Sequence, residues 1–139
     1  MAWTNNLTEK WSPRTLGVLR LVTAYLYLQH GTTKVLHFPY PAAYDVVDLW
    51  SLAWVAGVIE IVGAALLIVG LWVRPTAFLL CGEMAVGYFL VHAPMGHVLS
   101  PMQNQGEPAV LYCFIFLYLA IAGGGAWCLD RLRASSVQA

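Results

Sequence analysis

Residues 51–94 read SLAWVAGVIEIVGAALLIVGLWVRPTAFLLCGEMAVGYFLVHAP. This stretch is two apolar runs with one carboxylate inside each, Glu60 in the first and Glu83 in the second. The corner Val73–Arg74–Pro75 separates them. A helix rises about 1.5 Å per residue, so about 20 apolar residues cross the hydrocarbon of a bilayer. Both runs are long enough to do so. An ionisable side chain near the middle of such a helix is costly and marks a functional candidate. The stretch therefore predicts two membrane helices and two residues of interest.

The rest of the chain agrees. Of its 139 residues, 60% are hydrophobic and 10% charged, with a mean hydropathy of +0.67. Soluble domains hold about 45–50% apolar and about 25% charged residues, so the lipid bilayer is the expected environment. The formal net charge is zero and no basic block occurs. No nucleic-acid partner is expected from such a surface. Cys81, Cys113 and Cys128 are scattered and form no CxxC. They predict neither a disulfide framework nor a zinc site, and each reads as a small buried apolar side chain. The first apolar run begins near Leu16, holds Arg20, and continues into Gln29, His30 and Lys34. No small-residue cleavage site follows it, so it reads as a retained membrane helix.

The layout is an all-α membrane protein of one domain, an up-down-up-down four-helix bundle. Residues 1–14 form an interfacial or cytoplasmic arm. The four-helix domain covers 15–128, with spans at about 15–36, 52–72, 75–93 and 107–127. Residues 129–139 are a polar tail. All seven prolines then fall at or beyond helix ends, as regular helix interiors require. Trp11, Trp50, Trp54, Trp72 and Trp127 flank the spans, where amphipathic rings prefer the interface. Lys10, Arg14, Arg74, Arg131 and Arg133 lie on one side and Lys34 on the other. Positive loops stay inside, which places both termini and the Arg74 corner in the cytoplasm. Small residues along the second span, including Gly57, Gly63 and Ala64, permit close helix approach and a homo-oligomeric contact.

Arg20, Thr23, Tyr27, His30 and Lys34 recur at spacings of three or four, one stripe of the first helix. Glu60 and Glu83 lie within roughly 5 Å of the midplane when the spans are laid out at helical rise. Arg20 sits toward the cytoplasm, His30 toward the outside, and Lys34, His92 and Glu107 near the outer mouth. If each polar face points inward, four helices contribute to one polar column. Arg20 stays charged and should draw Glu83 or Glu60 as its partner. One arginine against two glutamates leaves surplus negative charge, so one glutamate is expected neutral or His30 protonated. A structural reading stands beside this one, in which the buried ion pairs only fix helix register. No Glu-x-x-His pair occurs, so no metal is predicted. Haem is disfavoured, because it would need His30 and His92 facing each other at one level.

Three segments carry a resemblance: LGVLRLVTAYLYLQHGTTKVL, GVIEIVGAALLIVGLWVRPTAFLLCGEMAVGYFLVHAP and GEPAVLYCFIFLYLAIAGGGAWCLD. With their HG-xx-K, E-x-x-G, GL-x-x-RP and GEMAV-x-YF-x-VHAP motifs, they resemble the DoxX family of small four-helix membrane proteins. The resemblance implies the bacterial inner membrane, several crossings, and a link to redox metabolism. The family takes its name from the membrane subunit of a thiosulfate:quinone oxidoreductase. By motif position it implies Arg20, His30, Lys34, Glu60 and Glu83 as site residues.

Three functions follow as expectations. The first is a quinone-linked oxidoreductase subunit. In it Glu60, Glu83 and His30 relay protons, Arg20 holds the carboxylates, and Lys34, Tyr27, Glu107 and His92 line the ligand site. The second is a non-catalytic anchor or assembly partner of an oxidoreductase complex. The third, a small proton-coupled transporter, is disfavoured by the lack of internal repeats and broken helices.

Overall fold

A computed structural model describes residues 2–39 and 47–136. Asp45 and the centre of the first loop lie outside the described residues. All regular structure among the described residues is helical, in five α-helices. They are α1 (Ala2–Leu36), α2 (Leu52–Val69), α3 (Val73–Gly87), α4 (Glu107–Ala122) and α5 (Leu129–Ser136). A π-helical turn, Tyr88–His92, and a short 3-10 turn, Ala93–Met95, continue α3. Two segments are long and apolar enough to cross a bilayer, Leu52–Val69 and Val73–Met95.

Local chemistry sets the ends. The Ser51 hydroxyl accepts from Trp54 N at 3.2 Å and caps α2. Gly70 ends α2 at φ 72°, and the amides of Gly70 and Leu71 return to Leu66 O at 2.9 and 3.0 Å. That double return needs a left-handed residue, which glycine adopts without steric cost. The expected second span therefore stops at Val69 rather than residue 72. The fourth stops at Ala122 rather than residue 127, because Gly123 and Gly125 turn the chain at φ 85° and 70°. Beyond that turn the polar tail forms a helix of its own, α5.

Residues 2–14 of the expected arm join the first span without a break. Helix α1 runs unbroken from Ala2, with Pro13 inside it. A proline removes one intrahelical donor and strains one turn. That turn has a second use here: Pro13 O accepts from Ala126 N at 2.7 Å, docking the loop after α4 onto α1.

Helix α1 packs along α2, and α3 along α4; α2 and α3 join the two pairs. The α1/α2 seam is tight because two glycines face across it. A methyl at Gly31 would come within 2.7 Å of Gly57 O, and one at Gly57 within 2.8 Å of Val35. The small-residue stripe expected to mediate oligomer contact is thus partly used inside the chain. Gly63 is likewise filled, by Leu80 of α3. Gly31→Val should force the α1/α2 seam apart and lower stability by about 1–3 kcal/mol, the usual cost of overpacking. A detergent-unfolding midpoint checks this, and an unchanged midpoint refutes the tight seam.

The core lies between the pairs and holds Ala24, Tyr27, Ala64, Leu67, Ala77, Leu80, Phe116 and Leu119. Outward, the helices present large apolar side chains: Val62 and Val69 on α2, Phe78 and Phe89 after the corner, Phe114 and Ile121 on α4.

Candidate functional site

On one side of the Gly63–Leu80 contact, a cavity of about 620 Å³ separates the two helix pairs. All four long helices line it. Helix α1 supplies Tyr27, His30 and Lys34, the spacing of one helical face. Helix α2 supplies Glu60, one turn from Gly63, and α3 supplies Glu83, one turn from Leu80. Helix α4 supplies Tyr112.

Two polar pairs tie α1 to α2 and to α3 at this cavity. Lys34 Nζ donates to Glu60 Oε1 at 2.6 Å, and Glu60 is buried. Tyr27 is fully buried and its hydroxyl donates to Glu83 Oε2 at 2.7 Å. Aromatic packing fixes that hydroxyl. The Tyr27 ring stands edge-on to Phe116 at 4.8 Å and lies 5.1 Å from Tyr112. His30 meets Tyr112 edge-on at 5.6 Å. Each glutamate keeps one buried oxygen without a protein partner, Oε2 of Glu60 and Oε1 of Glu83. Buried acceptors without donors are costly, so two hydrogen-bonding places stand open to whatever enters.

The other walls are apolar, with Ala56 and Ile59 on α2 and Met84, Val86 and Leu90 on α3. Val55, Val86 and Leu90 line the cavity and are also 40–57% exposed. The cavity therefore opens sideways, between α2 and α3. At the outer end, His92 and Gln105 line the mouth. The His92 Nδ1 sits 3.1 Å from Asn104 O, and its ring stacks on Tyr88. Asn104 is buried and donates to the Tyr88 hydroxyl at 3.1 Å, which itself donates to Val98 O at 2.6 Å. The π turn at Tyr88–His92 thus orders the connection to α4. Such turns are frequent at functional sites.

Six of the eight candidate residues line this one cavity: Tyr27, His30, Lys34, Glu60, Glu83 and His92. Glu107 does not; it lies exposed at the start of α4, where a negative charge suits the helix dipole. Arg20 does not either, which corrects the expected Arg–Glu pairing. Its guanidinium turns the other way and donates only to backbone carbonyls. Nε reaches Gly124 O at 2.9 Å, Nη1 reaches Leu67 O and Ile68 O, and Nη2 reaches Ala126 O and Trp127 O. Carbonyls at a helix C-terminus carry partial negative charge and lack intrahelical donors. The last turn of α2 and the loop after α4 offer several at once, which outcompetes a carboxylate two turns away. The cation in the cavity is Lys34 instead.

Tyr112, Asp130 and Asn104 are not among the site candidates read from the sequence. Asp130 accepts from the amides of Trp72 and Val73 at 2.8 and 2.9 Å, capping α3 from 57 residues away. Only an acidic residue just past a helix end signalled it. Among the described residues, no group of three or more His, Cys, Asp or Glu side chains could hold a metal ion.

Comparison with known proteins agrees on the family. The DoxX family model matches residues 15–93. An uncharacterized protein from Haemophilus influenzae is 48% identical over 131 residues, covering 91% of this chain and 96% of that protein. No solved structure matches. More than half of the chain fits the family's pattern and the relative matches almost end to end, so the chain belongs to the DoxX family.

Proposed function

We propose that the chain crosses the bacterial inner membrane four times and binds a lipid-soluble quinone or quinol in the cavity between its helix pairs, as the membrane subunit of a redox system. The outward apolar side chains suit lipid and not water. Exposed Trp50, Trp72 and Trp127 stand near helix ends, where membrane interfaces favour them. The excess of Lys and Arg on one side supports a cytoplasmic position for both termini and Arg74.

The carrying observation is the pair of unpartnered carboxylate oxygens inside an apolar cavity that opens sideways. A lateral opening at bilayer depth admits a molecule dissolved in the membrane. The apolar walls suit a ring and its isoprenoid tail. Glu60 Oε2 and Glu83 Oε1 suit two hydroxyl donors, the hydrogen-bonding character of a quinol. When bound, a quinone would supply two-electron, two-proton redox chemistry. The chain's part is to orient the ring and hold protons. Glu83, tied to Tyr27, and Glu60, tied to Lys34, are acceptors on separate helices. Along the α1 face His30 lies between Tyr27, which holds Glu83, and Lys34, which holds Glu60.

Mass spectrometry of small molecules extracted from the purified protein should find a quinone. Glu83→Gln should weaken binding of added quinone about tenfold, equivalent to about 1.4 kcal/mol. Tyr27→Phe should act in the same direction and less strongly. A preparation that neither carries nor takes up quinone overturns the reading and leaves an assembly role.

A further inference from the structure

Cys81 on α3 and Cys113 on α4 place their thiols 3.6 Å apart. Both are free and only partly buried. The third cysteine is occupied differently, since Cys128 is buried and its thiol donates to Gly70 O at 3.0 Å. The facing pair was expected to be plain packing, yet its geometry allows more. A disulfide needs sulfurs about 2.05 Å apart. Closing the remaining gap of about 1.5 Å takes side-chain rotation across two helices that already pack together.

The pair also adjoins the cavity. Cys113 directly follows Tyr112, which lines it, and Cys81 precedes the lining residue Met84 by one turn. The lining residues Met84 and Tyr112 are thus about 4.5 Å from Cys81 along α3 and about 1.5 Å from Cys113 along α4.

We propose that Cys81 and Cys113 are an electron-donating dithiol for the quinone of the cavity, a step that rests on the quinone-binding reading above. The balance is simple. Two S–H bonds break and one S–S bond forms between Cys81 and Cys113. The two electrons and two protons released reduce one quinone to one quinol. Glu83 and Glu60, each with a free carboxylate oxygen, stand beside the cavity to pass those protons. The product disulfide ties α3 to α4 until a reductant reopens it.

The test uses the full chain in lipid nanodiscs and a fully ring-substituted benzoquinone, which has no open position for thiol addition. After treatment the protein is denatured in acid and labelled with a large maleimide, and quinol is read by absorbance. The reduced chain has three cysteines and should take three labels. After quinone it should take one, with one quinol formed per chain, and dithiothreitol should restore three. Cys81→Ser and Cys113→Ser should each keep two labels and form no quinol. Three labels persisting after quinone overturn the proposal, and so does a disulfide that links two chains. Quinone binding to the Cys81→Ser/Cys113→Ser double variant is measured in parallel. Binding without wild-type thiol loss overturns the dithiol step and leaves the binding reading intact, whereas absent binding overturns both.

Discussion

Arg20→Leu should cost the protein about 3 kcal/mol or more, because several buried carbonyls lose a donor together and each such loss costs about 1–3 kcal/mol. Arg20 is fully buried and its guanidinium serves carbonyls of Leu67, Ile68, Gly124, Ala126 and Trp127. These acceptors come from the end of α2 and from the glycine-rich turn beyond α4. No other described side chain bonds to them. Leucine fills much of the volume and removes these guanidinium donors; Leu67 O keeps the Gly70 amide at 3.2 Å, and the other carbonyls lose their side-chain partner. Arg20→Lys should recover only part of the loss, because an ammonium offers three donors from a point and not five from a planar fork. Arg14→Leu is the control. Its guanidinium lies over the exposed Trp11 ring at 5.5 Å, so the change should stay within about 0.5 kcal/mol. Unfolding midpoints in detergent decide the matter. A wild-type midpoint for Arg20→Leu would show that the backbone network is not what holds this end together.

The second large effect belongs to Lys34 and Glu60, and it is an effect of coupling. Lys34→Met leaves Glu60 buried without its cation. The carboxyl can take up a proton, which limits the damage to about 1–3 kcal/mol. Glu60→Gln alone should cost less, since Lys34 is 32% exposed and can turn to solvent. The double variant Lys34→Met/Glu60→Gln should be more stable than the sum of the single losses by about 1 kcal/mol or more. Strict additivity across this cycle would mean that the 2.6 Å pair carries no net energy. The same variants separate stability from binding. If Glu60 accepts a hydrogen bond from the ligand, the double variant should regain stability without regaining quinone.

These two sites show where sequence reading stops. Both Arg20 and Lys34 lie on the polar stripe of α1, and both were expected in one column. The stripe was correct as a helical face. However, a face 14 residues long spans about 20 Å, and its two ends meet different surroundings. Lys34 meets the carboxylate of Glu60. Arg20 meets a helix terminus and a loop. The loop comes from residues more than 100 positions later, and no spacing rule reaches that far. Asp130 follows the same logic with opposite sign: an anion caps the amides that open α3, as a cation caps the carbonyls that close α2.

The sequence by itself determined the four long helices, their apolar character and the family, and it singled out the residues of interest. Helical periodicity and the cost of charge in an apolar run are local properties, readable from composition and spacing. Corners were also legible, since glycine and proline constrain backbone angles wherever they occur. Only the tertiary structure decided which polar group pairs with which. It also decided that Pro13 stays inside α1, that Cys81 faces Cys113, and that Glu60 and Glu83 each keep one oxygen free. The physical reason is that hydrogen bonds and ion pairs act over about 3 Å, whereas helix placement is set by the whole packed interface.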